Sequence, residues 1–273
     1  MIGASVLGGL AAIAGLGPLL LTHDPLARDL DGGLTAIGGP LPPSWQWLLG
    51  TDQLGRDVWA RLVAATATSL EVAALATVIG LAIGLTVGLA AATGSRRIDQ
   101  LLMRIVDLVL AFPVILVVIL LAALLRETQS SSSIAPIAAT LGVVGWTTLA
   151  RVIRGKARAL AHSEFFVAAR AMGATPWRIA THHMLPNLRG VIAAMTALLF
   201  AQNLIAESVL SYLGLGPPPP APTWGRMLFE GRAYYRTAPW LIVAPTVAIL
   251  IAVMAANVLG EALRDSSDPQ SPW

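Results

Sequence analysis

Six stretches of this 273-residue chain are predominantly apolar over lengths that match a hydrocarbon core: residues 2–21, 72–93, 108–125, 134–150, 191–211 and 240–260. Crossing a bilayer takes about 20 apolar residues, and a helix suits the task because it satisfies its own backbone where water is absent. The pattern predicts an all-α, polytopic membrane protein with six transmembrane helices. Composition agrees, with 56% hydrophobic and 12% charged residues, against about a quarter charged in an ordinary soluble domain. The chain has no cysteine, which excludes a disulfide scaffold.

The first stretch has no Lys or Arg before it, and the first cation is Arg28. It therefore lacks the basic region of a signal peptide and reads as a membrane helix. Orientation has to come from the other loops. With both termini in the cytoplasm, the inner segments hold Arg96, Arg97, Arg104, Arg151, Arg154, Lys156, Arg158, Arg170, Arg178, Arg189 and Arg264. The outer segments hold Arg28, Arg56, Arg61, Arg126, Arg226, Arg232 and Arg236. The richer set belongs in the cytoplasm, so both termini are expected there. The cations lie between apolar runs and form no aromatic-interleaved patch of the kind nucleic acid requires. Trp45, Trp59, Trp146 and Trp240 stand near the ends of apolar runs, where an amphipathic ring favours the headgroup level.

The whole chain, 1–273, reads as one transmembrane domain with its core at about 69–264, an external segment at 23–68 and a cytoplasmic loop at 151–190. That loop is too polar to span and too patterned to be a linker. Gly173 supplies permissive backbone at the end of one short helix. Thr175 and Pro176 suit the cap and first position of a second, to which Trp177, Ile179 and Ala180 give an apolar face. Leu185-Pro186-Asn187 is expected to terminate it. Charge and amphipathicity alone leave two readings: a docking element, or a basic amphipathic helix lying on the membrane surface.

The run Ala168-Ala169-x3-Gly173-x11-Leu185-Pro186 resembles the coupling loop of ABC importer permeases, with His183 and Leu-Pro-Asn in the manner of the dipeptide and oligopeptide branch. Val167 departs from that pattern, which has Glu there. The resemblance implies that Ala168, Ala169, Gly173, Ala174, Pro176, Trp177, His183, Leu185 and Pro186 couple to separate ATPase subunits, which would carry the ATP and Mg. It also implies a second homologous permease, two ATP-binding subunits, an extracytoplasmic substrate-binding protein and a place in the cell membrane. The cargo would be a di- or oligopeptide, nickel or another small solute.

This chain itself has no nucleotide machinery to read. A phosphate loop needs Gly-x4-Gly-Lys-Ser/Thr, whereas the single lysine, Lys156, is followed by Ala157 and position 150 is Ala. No nucleophile elbow or zinc helix is present in the sequence, and no cofactor or metal site is expected in this chain.

On the outer side, Gly50-Thr51-Asp52-Gln53-Leu54-Gly55-Arg56-Asp57 reads as a structured turn before a long helix. Asp52 and Asp57 suit backbone capping or pairing with Arg56; direct substrate contact is the other reading. The string is similar to a signature of the shorter permease of the peptide branch, near the docking surface for the binding protein. Thr51, Asp52, Gly55, Arg56 and Asp57 are the external candidates. Strings at Glu207–Gly216, Pro222–Gly225 and Asn257–Asp265 extend the resemblance. Finally, Thr196, Asn203, Glu207 and Ser211 share one face of the fifth stretch. Such a stripe is expected to avoid lipid and to face a subunit interface or the translocation pathway, with Glu207 either a structural tie or a gate. An ion-coupled secondary transporter is the alternative function, and Glu207 is the main intramembrane ionisable group to support it.

Overall fold

Gly80, Gly84 and Gly88 recur at every fourth position of α2 (Val58–Thr93) and turn toward α5 (Ala135–Ala161). A Cβ at Gly84 would stand 2.7 Å from Leu149 Cδ2, and one at Gly88 2.8 Å from the carbonyl oxygen of Ala150. Gly142 returns the contact from α5, within 2.6 Å of Ile79 Cβ. Helices in lipid gain little from the hydrophobic effect, so close van der Waals packing at small residues holds them together. This pair is the most extensive helix contact among the described residues.

The computed structural model describes residues 2–127, 134–161, 163 and 172–265. Around the α2–α5 pair stand α1 (Ile2–Leu20), α3 (Arg96–Ala111), α4 (Val114–Glu127), α6 (Leu185–Tyr212), a short α7 (Trp224–Gly231) and α8 (Trp240–Asp265). The described residues contain isolated bridges at Leu34 with Pro40 and Thr51 with Asp57, but no strand. Leu89, Leu149, Ile153, Met184 and Leu188 form the core at one end of the bundle. Val58, Leu204, Trp224 and Leu241 form it at the other.

Among the described residues, four helical stretches are long and apolar enough to cross a membrane: α2, α5, Ile179–Tyr212 and α8. The α3–α4 pair makes a fifth if it is one span, and Ile2–Gly17 is a shorter apolar helix beside α2 and α8.

Three sequence expectations change. First, residues 108–125 do not form one straight span, because the chain bends by 86° between α3 and α4. Pro113 has no N–H and disfavours helical geometry in the residue before it, and Phe112 is extended at φ −92° and ψ 144°. Second, α2 begins at Val58, well before the apolar stretch, and α5 runs on to Ala161, so the first part of the expected 151–190 loop is helix. Third, Leu185-Pro186-Asn187 does not terminate a helix. A wide, π-helical run over Ile179–Met184 feeds directly into α6, and the Leu185 N–H reaches the carbonyl of Ala180. Pro186 then falls in the first turn of α6, where a missing N–H is tolerated.

Candidate functional site

The segment between α5 and α6 starts, in the described residues, at Met172. Gly173 has φ +83°, the left-handed region that favours glycine. Thr175 caps the next turn: its Oγ1 accepts the N–H of Arg178 at 3.3 Å and its carbonyl accepts the N–H of Ile179 at 2.9 Å. Thr175-Pro176 thus does what its sequence suggests.

The turn Pro176–Arg178 and the π-helical run have two faces. Ile179, Met184 and Leu188 are buried against the core of α2 and α5, and Ala180 is buried as well. On the other face Trp177 is 77% exposed, and Arg178, His182 and Pro186 are exposed too. Trp177 therefore does not share the buried face of Ile179 and Ala180, with which the sequence pattern grouped it as one apolar face. Beside it lies a cavity of about 490 Å³ lined by Leu85, Leu89, Thr93, Ile98, Trp177 and Leu185. His183, Ala174 and Leu185 are half-buried, and the Asn187 side chain donates to the His183 carbonyl at 2.7 Å. Ala168 and Ala169 lie outside the described residues. The helical extension of α5 is fixed from the side: Arg154 and Arg158 both hold Asp99 of α3, at 2.8 and 2.9 Å to Oδ2, and Arg151 holds Asp107 at 2.6 Å.

At the opposite end, the Gly-Thr-Asp turn is tied inward through Thr51, Asp52, Arg56 and Asp57, while the buried Gln53 Oε1 has no partner among the described residues. Thr51 Oγ1 donates to the Gly33 carbonyl at 2.6 Å and accepts the Leu41 N–H at 2.8 Å. Asp57 caps α2 by accepting the N–H of Trp59 at 2.8 Å, and its other oxygen lies 2.8 Å from Nδ1 of His23. Gly55, at φ +69°, passes so close to Asp29 that a Cβ would stand 1.8 Å from its carbonyl oxygen. Asp52 accepts the N–H groups of Leu54 and Arg56 at 2.8 and 3.1 Å, and pairs with both Arg56, at 2.6 Å, and the buried Arg61. Glu230 of α7 closes the cluster, 2.7 Å from Arg56 and 2.8 Å from Arg61, with Arg226 at 3.1 Å. The pairing of Asp52 with Arg56 was legible from their spacing. Glu230 was not, because it lies 174 residues from Arg56 along the chain.

The polar stripe of α6 does not face a pathway within this chain. Asn203, Glu207 and Ser211 are buried by the chain's own helices, and only Thr196 is half-exposed. Asn203 donates to Thr77 of α2 at 3.1 Å. Ser211 donates to Glu207 at 2.6 Å, and the hydroxyls of Ser69, Thr223 and Ser208 stand round the same carboxyl. Ser69 accepts the N–H of Trp224 and Thr223 that of Arg226, both at 3.2 Å, while Glu207 Oε2 is buried with no hydrogen-bond partner among the described residues. Glu207 is thus bonded within α6 and sits beside residues of α2 and of the start of α7. Three of the four stripe residues, Asn203, Glu207 and Ser211, turn inward.

This geometry favours the structural reading of Glu207 and makes a prediction. Glu207→Ala is expected to cost about 1–3 kcal/mol, the usual penalty for stranding buried hydrogen-bond partners. Glu207→Gln keeps the shape and an acceptor and is expected to retain most of that stability, with uptake per intact complex unchanged. Thermal unfolding of the purified protein, read beside transport, checks both; altered transport by a fully stable Gln variant would favour a gate.

Comparison with known proteins completes the picture. The family model described as "Binding-protein-dependent transport system inner membrane component" matches residues 80–271. The chain belongs to this family of inner-membrane transport components. Among its relatives, the dipeptide transport system permease protein DppC of Alkalihalophilus pseudofirmus is 34% identical over 270 residues, covering 99% of this chain and 85% of that protein. The glutathione transport system permease protein GsiD of Pectobacterium atrosepticum is 36% identical over 229 residues, covering 84% and 74%. A solved inward-facing structure of the MetNI methionine ABC transporter superposes with a TM-score of 0.64 at 18% identity, covering 77% of this chain and 97% of that one. The family member described here thus has the permease fold of an ABC transporter and is a multi-pass membrane protein.

Proposed function

We propose that this chain forms half of the translocation pathway of an ATP-driven importer of di- or oligopeptides. A second, homologous permease supplies the other half. Two ATPase subunits dock on the segment around Trp177, and an extracytoplasmic binding protein delivers the substrate. The observation that carries this reading is the continuity of the coupling segment with α6. Its buried face is packed into the α2–α5 core, and its exposed face ends in Trp177 and Arg178. A push on that face has no loop to absorb it before α6, so closure of the ATPases passes to the bundle as a rigid-body movement. Peptide as cargo is supported by the dipeptide and glutathione systems named for the relatives. ATP hydrolysis belongs to the partner chains, and this chain acts by binding and moving.

The complex, purified through a tag on this chain and reconstituted in proteoliposomes with its binding protein, is expected to take up labelled dipeptide only with ATP inside. Uptake that persists without ATP and collapses with the proton gradient would establish the ion-coupled alternative. The inward turn of Glu207 leaves that alternative without the pathway carboxylate it was built on.

Both termini are placed in the cytoplasm by the cation bias. A cysteine introduced at Ser163, an exposed bend next to α5, is expected to resist an impermeant thiol reagent added outside intact cells. One at Ser131, outside the described residues, is expected to react. The absence of native cysteine makes the assay clean, and the reverse pattern would invert the topology.

A further inference from the structure

The helix α3 has three faces, and only one belongs to the protein. Asp99 and Val106 are buried, with Met103 and Leu110 packed beside Val106 against Trp146 and Ala150 of α5. A second face exposes Ile98, Leu101, Ile105, Leu108 and the following Phe112, between 43% and 63% each. These residues recur at alternating steps of three and four, the spacing of one continuous helical stripe. The third face carries Arg96, Arg97, Gln100, Arg104 and Asp107, all exposed. Asp107 is paired with Arg151, whereas Arg96, Arg97 and Arg104 make no ion pair among the described residues.

The exposed surface of α3 is thus divided along its length into an apolar half and a cationic half. A helix crossing the bilayer has no use for that division. A helix lying in the plane of the bilayer needs it, because acyl chains meet one side and headgroups the other. The 86° bend at Phe112-Pro113 supplies the orientation: if α4 stands across the membrane, α3 lies along its surface. Its salt bridges to the extension of α5 hold it on the side of the membrane that carries the coupling segment.

We infer that α3 is an interfacial helix that seats its apolar stripe in one leaflet and binds anionic phospholipid headgroups through Arg97 and Arg104. The charge sorting selects lipid as the occupant: arginines beside an apolar stripe bury their stems and bring guanidinium groups to phosphate level. The inference rests on the chain being a membrane component, but not on what it transports.

The test uses the assembled complex in vesicles of phosphatidylethanolamine and phosphatidylglycerol. Single cysteines replacing Leu101, Leu108 or Gln100 are labelled with a small environment-sensitive fluorophore and quenched with lipids brominated near the headgroup end of the acyl chain. The labels at 101 and 108 are expected to lose most of their emission and the label at 100 to keep it. Equal quenching at all three positions would overturn the inference. So would quenching at 101 and 108 in the isolated chain that disappears on assembly, which would assign the stripe to a partner subunit. In a second arm, Arg97→Gln with Arg104→Gln is expected to lower the preference for spin-labelled phosphatidylglycerol over phosphatidylcholine by roughly fivefold per arginine; an unchanged preference would remove the headgroup contact. Neither arm uses ATP or substrate, so an ion-coupled transporter would pass this test while failing the uptake test.

Discussion

Gly173→Val is expected to lower ATP-driven uptake about tenfold while Gly173→Asn stays close to the parent, since left-handed backbone costs ordinary L-residues roughly 1–2 kcal/mol but is tolerated by Asn. The cost arises from conformation and not from crowding. Among the described residues, no atom other than those of its chain neighbours stands within 4 Å of the position a Cβ would take at Gly173, and φ there is +83°. Bulk alone, as in Gly173→Trp, would therefore displace none of the described residues; a Trp acts through the same backbone strain and through what docks on the segment. A valine has to abandon the left-handed turn and redirect Ala174 and Thr175, and with them the cap that starts the coupling segment. Pulldown of the ATPase subunits and uptake are expected to fall together for Val, with the chain still inserted. Normal pulldown and uptake for Val would remove the hinge from the mechanism.

The spans were legible because apolar length is a local property, yet their edges were not. The start of α2 carries Arg61, Ser69 and Glu71, which a hydropathy reading treats as loop. These residues stay helical because Asp57 caps the first turn, distant partners meet Arg61 and Ser69, and Glu71 is exposed. Arg61 meets Asp52 and Glu230, and Ser69 meets Trp224. The same blindness applies to the α6 stripe. Its periodicity showed that Asn203, Glu207 and Ser211 share a face, but not that Thr77 and Ser69 wait on α2 to cover it. The break before α4 was visible in principle, since Pro113 stands in the middle of the third stretch and proline in a helix interior removes a bond and displaces the chain. Reading through it merged an interfacial helix with a crossing one. Beneath the coupling segment, by contrast, Thr175-Pro176 and Gly173 were read from local chemistry alone, because caps and left-handed turns are decided within four residues.

The buried ion cluster at the end of the bundle opposite the coupling segment is expected to give the largest loss of stability. Asp52→Ala should destabilise the protein by about 3–5 kcal/mol, the cost of breaking a buried charge pair from one side. The reason is what remains behind. Arg61 is 3% exposed and would keep only Glu230, which it shares with Arg56 and Arg226, while the N–H groups of Leu54 and Arg56 would lose their acceptor. Arg226, on the rim and 31% exposed, is the control: Arg226→Gln should change stability by about 1 kcal/mol or less, as for a surface pair. The cluster also predicts a pH response with a definite sign. Burial alone would raise the carboxyl of Glu230, but the guanidinium groups of Arg61 and Arg56 and the hydrogen bond from Arg226 outweigh it and hold the group below its usual 4.5. A depressed carboxylate contributes stability that is present above the unfolded value and lost as pH falls through the folded one. Thermal unfolding of the detergent-solubilised protein should therefore shift little from neutrality down to about that usual value and fall progressively below it. In Glu230→Gln the part of the acid-side loss due to this carboxylate should disappear, with lower stability at neutral pH. An acid-side slope identical in parent and variant would mean that Glu230 does not titrate in this window and that the cluster is held by Asp52 alone.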